Sequence, residues 1–214
     1  MKTKTIMKAI SLSLASAMLL TMLVGCVDND SRTKQDVSST VSETAADTGR
    51  KDGERFEDVI ILEGEEETVR YEHVRNEKIG FELDYEYESL TRITEEDNER
   101  FVSVYDDAKK PDNYLEVTYS SEKADSTVKT VKADLSKKYG TVKEETCELD
   151  GAGQCRRINA TGGKGKTAKY SLQTVTIIPA GDGCIVAAAH YTIESAEGFG
   201  VRFSKIVNTL SVIN

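Results

Sequence analysis

The sequence predicts an α+β domain in which an antiparallel β-sheet carries two main amphipathic helices. The first observation is residues 79–87, Ile-Gly-Phe-Glu-Leu-Asp-Tyr-Glu-Tyr, where every odd position is apolar or aromatic. Period two of this kind places one face against a core and the other against water, as in antiparallel sheets. The second observation is the order of the elements. Strands, a helix, strands and a helix follow one another without the regular βαβ alternation of a parallel sheet.

Residues 1–25 have the features of a secretion signal. Three lysines within the first eight residues form a positively charged start, and an apolar run from Ala9 to Val24 follows. Spanning a bilayer takes about 20 apolar residues, whereas this run is shorter and contains Ser and Thr. The run therefore fits a cleaved leader better than a membrane-spanning helix.

The leader ends in Leu23-Val24-Gly25-Cys26, which resembles the lipobox of bacterial lipoproteins. The resemblance implies cleavage after Gly25 and lipidation of Cys26, for example with palmitate. Two or more acyl chains hold a protein stably at a membrane, whereas one does so only marginally. We therefore expect Cys26 to anchor the chain on the extracytoplasmic face of the cell membrane. The alternative is an ordinary signal peptide or short membrane helix with an incidental cysteine.

Residues 26–55 are predicted to be the lipidated cysteine followed by a disordered polar tether. From Asp28 to Arg55 there is almost no large apolar residue. Such a segment cannot bury enough surface to offset the entropy lost on ordering. A flexible chain of this length spans roughly 30 Å on average. We expect it to hold a single α+β domain, residues 56–214, clear of the lipid headgroups.

Within this domain, alternation and β-branched residues predict nine strands. They cover residues 58–62, 68–74, 79–87, 100–105, 114–120, 142–149, 156–161, 168–178 and 184–192.

Two helices are predicted, at residues 126–139 and 196–210. The apolar face of the first consists of Val128, Val131, Leu135 and Tyr139. The apolar face of the second consists of Phe199, Phe203, Ile206 and Leu210. Gly140 is expected to end the first helix, because glycine is frequent just after a helix C-terminus.

The order of these patterns resembles the Mog1/PsbP-like fold, an α/β/α sandwich found in small bacterial lipoproteins. The resemblance rests on the acidic strand at residues 80–86, a strand pair, a helix ending in Tyr139-Gly140, a meander, and a last helix ending in Asn-Thr-Leu at 208–210. It covers about residues 69–214, although the family's usual Tyr-Pro after the first strand is absent. Members of the fold are mostly binding or assembly factors, so the resemblance implies a non-catalytic role.

Composition argues against several classes of function. The formal net charge of −9 and the pI near 4.9 disfavour nucleic acid, whose phosphates need basic surfaces. The two histidines, His73 and His190, supply little material for His-based catalysis or a multi-His metal site. His190 is interpreted as a hydrogen-bonded residue of a sheet. No Ser-His-Asp or Cys-His set is indicated, and no catalytic, cofactor or metal residue is assigned.

Residues 160–167, Ala-Thr-Gly-Gly-Lys-Gly-Lys-Thr, are similar to a phosphate-binding loop with Ala160 in place of the leading glycine. Such a loop requires a helix directly after its Lys-Thr pair, here Lys166 and Thr167. Instead, β-branched residues follow, and a strand also precedes. We therefore predict a flexible Gly-rich hairpin turn without affinity for nucleotides.

If Cys26 is lipidated, three cysteines remain. Cys147 and Cys155 flank a turn-like stretch, 149–153, that would place them opposite each other across a hairpin. A disulfide there would contribute about 2–3 kcal/mol in the chain-entropy model. The alternative is a set of three reduced, buried thiols. Cys184 opens an apolar strand and is predicted to be buried and free in either case.

Acidic residues cluster at 63–67, 95–99 and 106–113. Calcium takes oxygen ligands from such residues, but the spacing of an EF-hand loop is missing, so solvated loops are the simpler interpretation. Residues 77–125 carry 15 acidic and 6 basic residues, a net charge of −9, and residues 126–214 carry 8 and 12, a net charge of +4. This polarity could steer a charged partner.

Two classes of function remain open at this point. The first is a non-catalytic lipoprotein that binds or assembles with an unknown protein or envelope partner. The second is a cell-envelope hydrolase that uses carboxylates of the acidic half. A pair of carboxylates converging in a pocket, with one kept protonated near neutrality, would favour the hydrolase.

Overall fold

A computed structural model of the chain describes residues 49–62, 65–163 and 171–213, which carry eleven strands. The strands are β1 (Arg55–Leu62), β2 (Glu65–Asn76), β3 (Phe81–Glu86), β4 (Leu90–Thr94), β5 (Asn98–Ser103), β6 (Tyr114–Ser120), β7 (Tyr139–Leu149), β8 (Gly153–Gly163), β9 (Ser171–Ala180), β10 (Gly183–Thr192) and β11 (Ser211–Val212). The helices are α1 (Ala124–Lys138) and α2 (Val201–Asn208), and a π-helical turn at Ala196–Gly200 leads into α2.

The strands of the described residues form two antiparallel sheets, where the sequence analysis predicted one. Sheet A has the order β1-β2-β3-β11, and sheet B has the order β4-β5-β6-β10-β9-β8-β7. The chain passes from sheet A to sheet B between β3 and β4. Hydrophobic alternation reveals which face of a strand is buried but not which strand is its neighbour. The division into two sheets was therefore outside what the pattern could predict.

Sheet B is covered by α1 on one face and in part by sheet A and α2 on the other. On one face, Val128 and Leu135 of α1 pack against Ile158, Val175 and Ile177. The opposite face packs against sheet A and α2. This second core contains Phe81, Leu83, Phe101, Leu115, Ile185 and Phe203. The layers are therefore α1, then sheet B, then sheet A together with α2.

Helix α1 lies close to its predicted range, but its end differs from the prediction. The helix ends at Lys138, and Tyr139 and Gly140 belong to β7 instead of closing the helix. A side chain at Gly140 would place its Cβ 2.8 Å from the carbonyl oxygen of Gly162. Gly140 therefore allows β7 and β8 to approach closely, which explains the glycine without a helix stop.

The second predicted helix, 196–210, is regular only over Val201–Asn208. Two glycines, Gly198 and Gly200, lie in the π-helical turn before it. Glycine disfavours a regular helix because it loses more backbone entropy than other residues. Phe203 and Ile206 of α2 are buried as the apolar spacing predicted.

Residues 50–54 contact the domain, although the sequence analysis placed them in the tether. Asp52 accepts hydrogen bonds from the Arg92 side chain at 2.8 Å and from the backbone N–H of Arg75 at 3.0 Å. Gly53 N–H donates to the His73 carbonyl at 2.8 Å. Residues 50–54 are therefore bound to the strands that follow them.

The predicted signal at 1–25, the predicted lipid anchor at Cys26 and the predicted tether up to residue 48 lie outside the described residues. Within 49–62, 65–163 and 171–213, no helix has the length and apolar character needed to cross a membrane.

Candidate functional site: a groove beside the second helix

A groove of about 410 Å³ lies between α2 and the face of sheet B formed by β8, β9 and β10. Val201, Ser204 and Lys205 of α2 line one wall, and the strands form the floor. This volume falls within the range of about 300–1,000 Å³ that is usual for small-molecule sites. The position follows from the layers, because α2 covers only part of a seven-stranded sheet.

Short side chains under α2 create the space. Ala187 and Ala189 of β10 face the helix, and the neighbouring strand places Thr176 opposite Ala187 and Thr174 opposite Ala189. These four side chains are short, and they form the part of the floor below α2. The floor therefore combines the apolar Ala187 and Ala189 with the hydroxyl groups of Thr174 and Thr176.

A chain of hydrogen bonds crosses the polar part of the floor. Thr174 Oγ1 donates to Asn159 Oδ1 at 3.1 Å, so the Tyr191 hydroxyl, 3.1 Å from Thr174 Oγ1, acts as donor to it. The Asn159 side-chain amide in turn donates to Glu145 Oε1 at 3.2 Å. These bonds hold the floor in place and engage Glu145.

Arg157 lies on the same face, directly opposite Glu145 in the β7–β8 pair. Most arginines of the described residues form ion pairs with carboxylates. Those that do are Arg50, Arg55, Arg70, Arg75, Arg92, Arg100, Arg156 and Arg202. Within the described part of the chain, half-buried Arg157 has no such partner, and neither has Lys205. The groove therefore contains two cations that form no ion pair with a carboxylate of the described residues.

Buried carboxylates of the acidic half lie elsewhere, and each is paired with an arginine. The pairs are Glu82 with Arg75, Glu86 with Arg202, and Glu99 with Arg92. Burial opposes the charge on Arg92, but Glu99 and Asp52 outweigh it and raise the pKa of Arg92. Each of these buried carboxylates is neutralised by its arginine, as in structural ion pairs.

His73 is buried between two acids of β3. Its Nδ1 lies 2.7 Å from Asp84 Oδ1 and its Nε2 3.7 Å from Glu82 Oε2. Among the described residues, Nε2 has no hydrogen-bond partner. His73 is not among the residues that line the groove.

His190 lies in β10, and its ring stacks on Tyr114 with the ring centres 5.3 Å apart. Its Nδ1 lies 3.5 Å from the Asp112 carbonyl oxygen. Burial lowers the pKa of His190, with Lys138 acting in the same direction and Asp112 opposing it. It too lies away from the groove.

The other residues that the sequence analysis singled out do not gather in one place. Cys147 and Cys155 face each other across β7 and β8, with Cα atoms 5.1 Å apart, and are joined by a disulfide. Cys184 is buried and free, and its Sγ lies 3.3 Å from Thr127 Oγ1, on the α1 side of sheet B.

The Gly-rich stretch 160–167 lies between antiparallel strands. Ala160 to Gly163 end β8, and β9 begins at Ser171. A strand therefore follows where a phosphate-binding loop would need a helix. Residues 164–170, with Lys166 and Thr167, lie outside the described residues, and so does the hairpin turn predicted there.

The acidic loops use their carboxylates locally. Asp106 Oδ2 accepts the backbone N–H groups of Asp112 at 3.1 Å and Asn113 at 2.6 Å, which closes the loop between β5 and β6. Over the described ranges, no group of three or more His, Cys, Asp or Glu side chains is arranged to hold a metal ion.

The sequence analysis assigned none of the residues that line the groove to a binding site. Two signals could have indicated it: the run Ala187-Ala-Ala189 in a strand, and polar residues such as Arg157, Asn159 and Thr174 at alternate positions of interior strands. Small residues leave space under a helix, and polar ones at inward positions seldom belong to a core. Neither signal locates α2, which supplies the wall.

No protein-family model matches the chain, and no curated protein sequence is significantly similar to it. Among solved structures, the chain is similar to cyanobacterial PsbP (CyanoP) from Synechocystis sp. PCC 6803, determined in solution. The two are 12% identical with a TM-score of 0.49, and the match covers 66% of this chain and 92% of that chain.

Proposed function

We propose that the chain is a non-catalytic binding module, anchored by a lipid on Cys26 at the extracytoplasmic face of the cell membrane, and that the groove beside α2 holds its ligand. The groove carries the proposal, because it combines a volume suited to a small ligand with apolar walls and a few polar groups. A lipid anchor and a polar tether suit this role, since they present a domain to partners at the membrane surface.

The charged groups favour binding over hydrolysis. Glu145 is the one carboxylate among the described residues that line the groove, and Asn159 already donates to it. Hydrolysis by carboxylates commonly uses two of them, one on each side of the bond to be cleaved. The buried acids of the acidic half are paired with arginines instead.

The binding role can be tested by blocking the groove. Ser204 is exposed on α2 and lines the groove, so Ser204→Trp should fill it without disturbing the core. Ala133→Trp is the matched control, because Ala133 is exposed on α1 at the opposite face of sheet B. Each full-length protein is purified in detergent, incubated with an extract of the cells that produce it, and analysed for retained molecules by mass spectrometry.

We expect a compound that is retained by the wild type and by Ala133→Trp and is lost with Ser204→Trp. Equal retention by all three proteins would contradict a ligand site in the groove. Glycosidase, peptidase and esterase assays on the same samples address the alternative. Turnover by the wild type, with no compound retained, would favour a hydrolase.

The membrane anchor has its own test. Cells that express the wild type or Cys26→Ala are labelled with palmitate and fractionated in detergent. We expect the variant to lose the label and to leave the membrane fraction. Unchanged labelling and retention would contradict lipidation of Cys26.

A further inference from the structure

We infer that the groove recognises an organic anion with a carboxylate or phosphate at one end and an apolar body at the other. This inference rests on the proposed function, since it specifies the ligand of the same groove. Two features of the site carry it: cations that lack a partner, and an apolar wall close to them.

Arg157 provides the strongest indication. It lies opposite Glu145, a natural ion-pair partner on the neighbouring strand, yet no carboxylate of the described residues lies within 4 Å of it. Glu145 instead accepts a hydrogen bond from Asn159. The planar guanidinium of an arginine matches carboxylate and phosphate groups with two parallel hydrogen bonds. A half-buried arginine left unpaired beside a cavity is therefore suited to an incoming anion.

Lys205 adds a second positive charge from the facing wall of the groove. The Tyr191 hydroxyl and one N–H of the Asn159 amide already donate to protein acceptors. Arg157 and Lys205 are the charged donors among the described residues that line the groove. Two cations against the single carboxylate of Glu145 leave the groove with a net positive charge, which favours an anion.

The remainder of the groove suits an apolar body. Ala187, Ala189, Phe203 and Val207 line the part below α2, and Leu172 lines the part towards β9. Contact with these side chains would remove apolar ligand surface from water, which is favourable by about 25 cal/mol per Å². The combination of a cationic end and an apolar wall therefore defines an amphiphilic anion.

The test uses four probes that share one alkyl chain and differ in the head group. Octanoate and octyl phosphate are anionic, octanamide is neutral and octylamine is cationic. Each is titrated into the full chain held in nanodiscs, with empty nanodiscs subtracted, by isothermal titration calorimetry. We expect saturable binding of one or both anions, at least about 10-fold tighter than octanamide, because charge-assisted hydrogen bonds are stronger than neutral ones. The ratio of the affinities for octanoate and octyl phosphate shows whether the groove prefers a carboxylate or a phosphate.

Variants then locate the anion. Arg157→Gln should weaken binding of the preferred anion about 10-fold and leave octanamide unchanged. Arg156→Gln is the matched control, because Arg156 is the next residue on the same strand, points to the other face, and is bound to Glu144. Lys205→Gln, in α2, should weaken binding of the anion as well. The loss of affinity with Lys205→Gln keeps the test informative if Arg157→Gln fails to fold.

Equal affinities for octanoate, octyl phosphate and octanamide, or no saturable binding of either anion, would overturn the inference. So would equal effects of Arg157→Gln and Arg156→Gln. If the anion inference fails while Ser204→Trp still abolishes retention of a cellular compound, the groove remains a ligand site of different chemistry. If Ser204→Trp has no effect on any ligand, the proposed function fails too.

Discussion

At the scale of single residues, the buried charges of this domain are matched. Glu99 is fully buried, and its two oxygens accept hydrogen bonds from Arg92, from the Asn76 amide and from the Thr94 hydroxyl. Arg92 also contacts Asp52, at the beginning of the described domain. The ion pair therefore links β4, β5 and the segment before β1.

Arg92→Met should destabilise the domain strongly, because it leaves the carboxylate of Glu99 buried without its cation. Breaking one side of a buried pair costs about 3–5 kcal/mol, whereas replacing both sides by apolar residues costs much less. The double variant with Glu99→Met should therefore recover part of the loss. Unfolding by urea measures the free energies, and Arg70→Met, in an exposed ion pair with Glu57, is the control. Equal midpoints for Arg92→Met and Arg70→Met would contradict this account.

His190 should make stability depend on pH. Its pKa in the folded protein is lowered below 6.5 by burial, so the unfolded chain takes up a proton at a higher pH than the native protein does. Its contribution is therefore fully present above about pH 6.5 and declines as the pH falls from there towards the native pKa. Urea unfolding between pH 5 and 7.5 should show a smaller loss of stability at low pH for His190→Gln than for the wild type. Parallel curves for the two proteins would refute this role.

At the scale of elements, the disulfide between Cys147 and Cys155 joins β7 to β8. Its eight-residue separation closes a short loop of the unfolded chain. Reduction, or Cys147→Ser with Cys155→Ser, should lower the free energy of unfolding by about 2–3 kcal/mol. Dithiothreitol should lower the free energy of unfolding of the wild type and leave that of the double variant unchanged. Two additional free thiols in the untreated native protein, counted by alkylation and mass spectrometry, would show that the bond is absent.

Strands were predictable where one face is apolar. All nine predicted strands overlap observed ones, but β4 and the two-residue β11 were missed. The inward position 92 of β4 carries an arginine, which breaks the apolar alternation, and the contacts with Glu99 on β5 and with Asp52 make that burial favourable. Such a contact between strands is invisible in a single local pattern.

The second helix shows the same limit. Its apolar spacing predicted which side chains are buried, whereas the π-helical turn before it depends on Gly198 and Gly200 and on how the chain leaves β10. A side chain at Gly200 would place its Cβ 3.0 Å from the Tyr191 ring. Packing between elements therefore decided where α2 begins.

At the scale of the whole molecule, the groove follows from a mismatch in width between layers. Sheet B has seven strands, and on the face away from α1 it is covered by a four-stranded sheet and an eight-residue helix. The uncovered part of that face, near β7 to β9, carries Glu145, Arg157 and Asn159. The sequence predicted the amphipathic elements, but the groove depends on how far the upper layer extends over the sheet. No pattern within one element contains that information.

Charge is also distributed unevenly over the molecule. Residues 126–214, which contribute every residue lining the groove, carry the net charge of +4, and residues 77–125 carry −9. The negative charges of residues 77–125 repel an anion, so the groove has to attract the anion at short range. Exposed charges are screened beyond about 8–10 Å in physiological salt, which limits the range of this repulsion.

The central claim is that the groove beside α2 holds a ligand in the membrane-bound protein, and photo-crosslinking in living cells tests it most directly. A benzophenone amino acid replaces Ser204 in one protein and Ala133, on the opposite face, in another. After irradiation, each full-length chain is purified and its mass is measured. The account predicts a discrete adduct of added small-molecule mass at position 204 and none at position 133. No adduct at 204, or the same adduct at both positions, would contradict it.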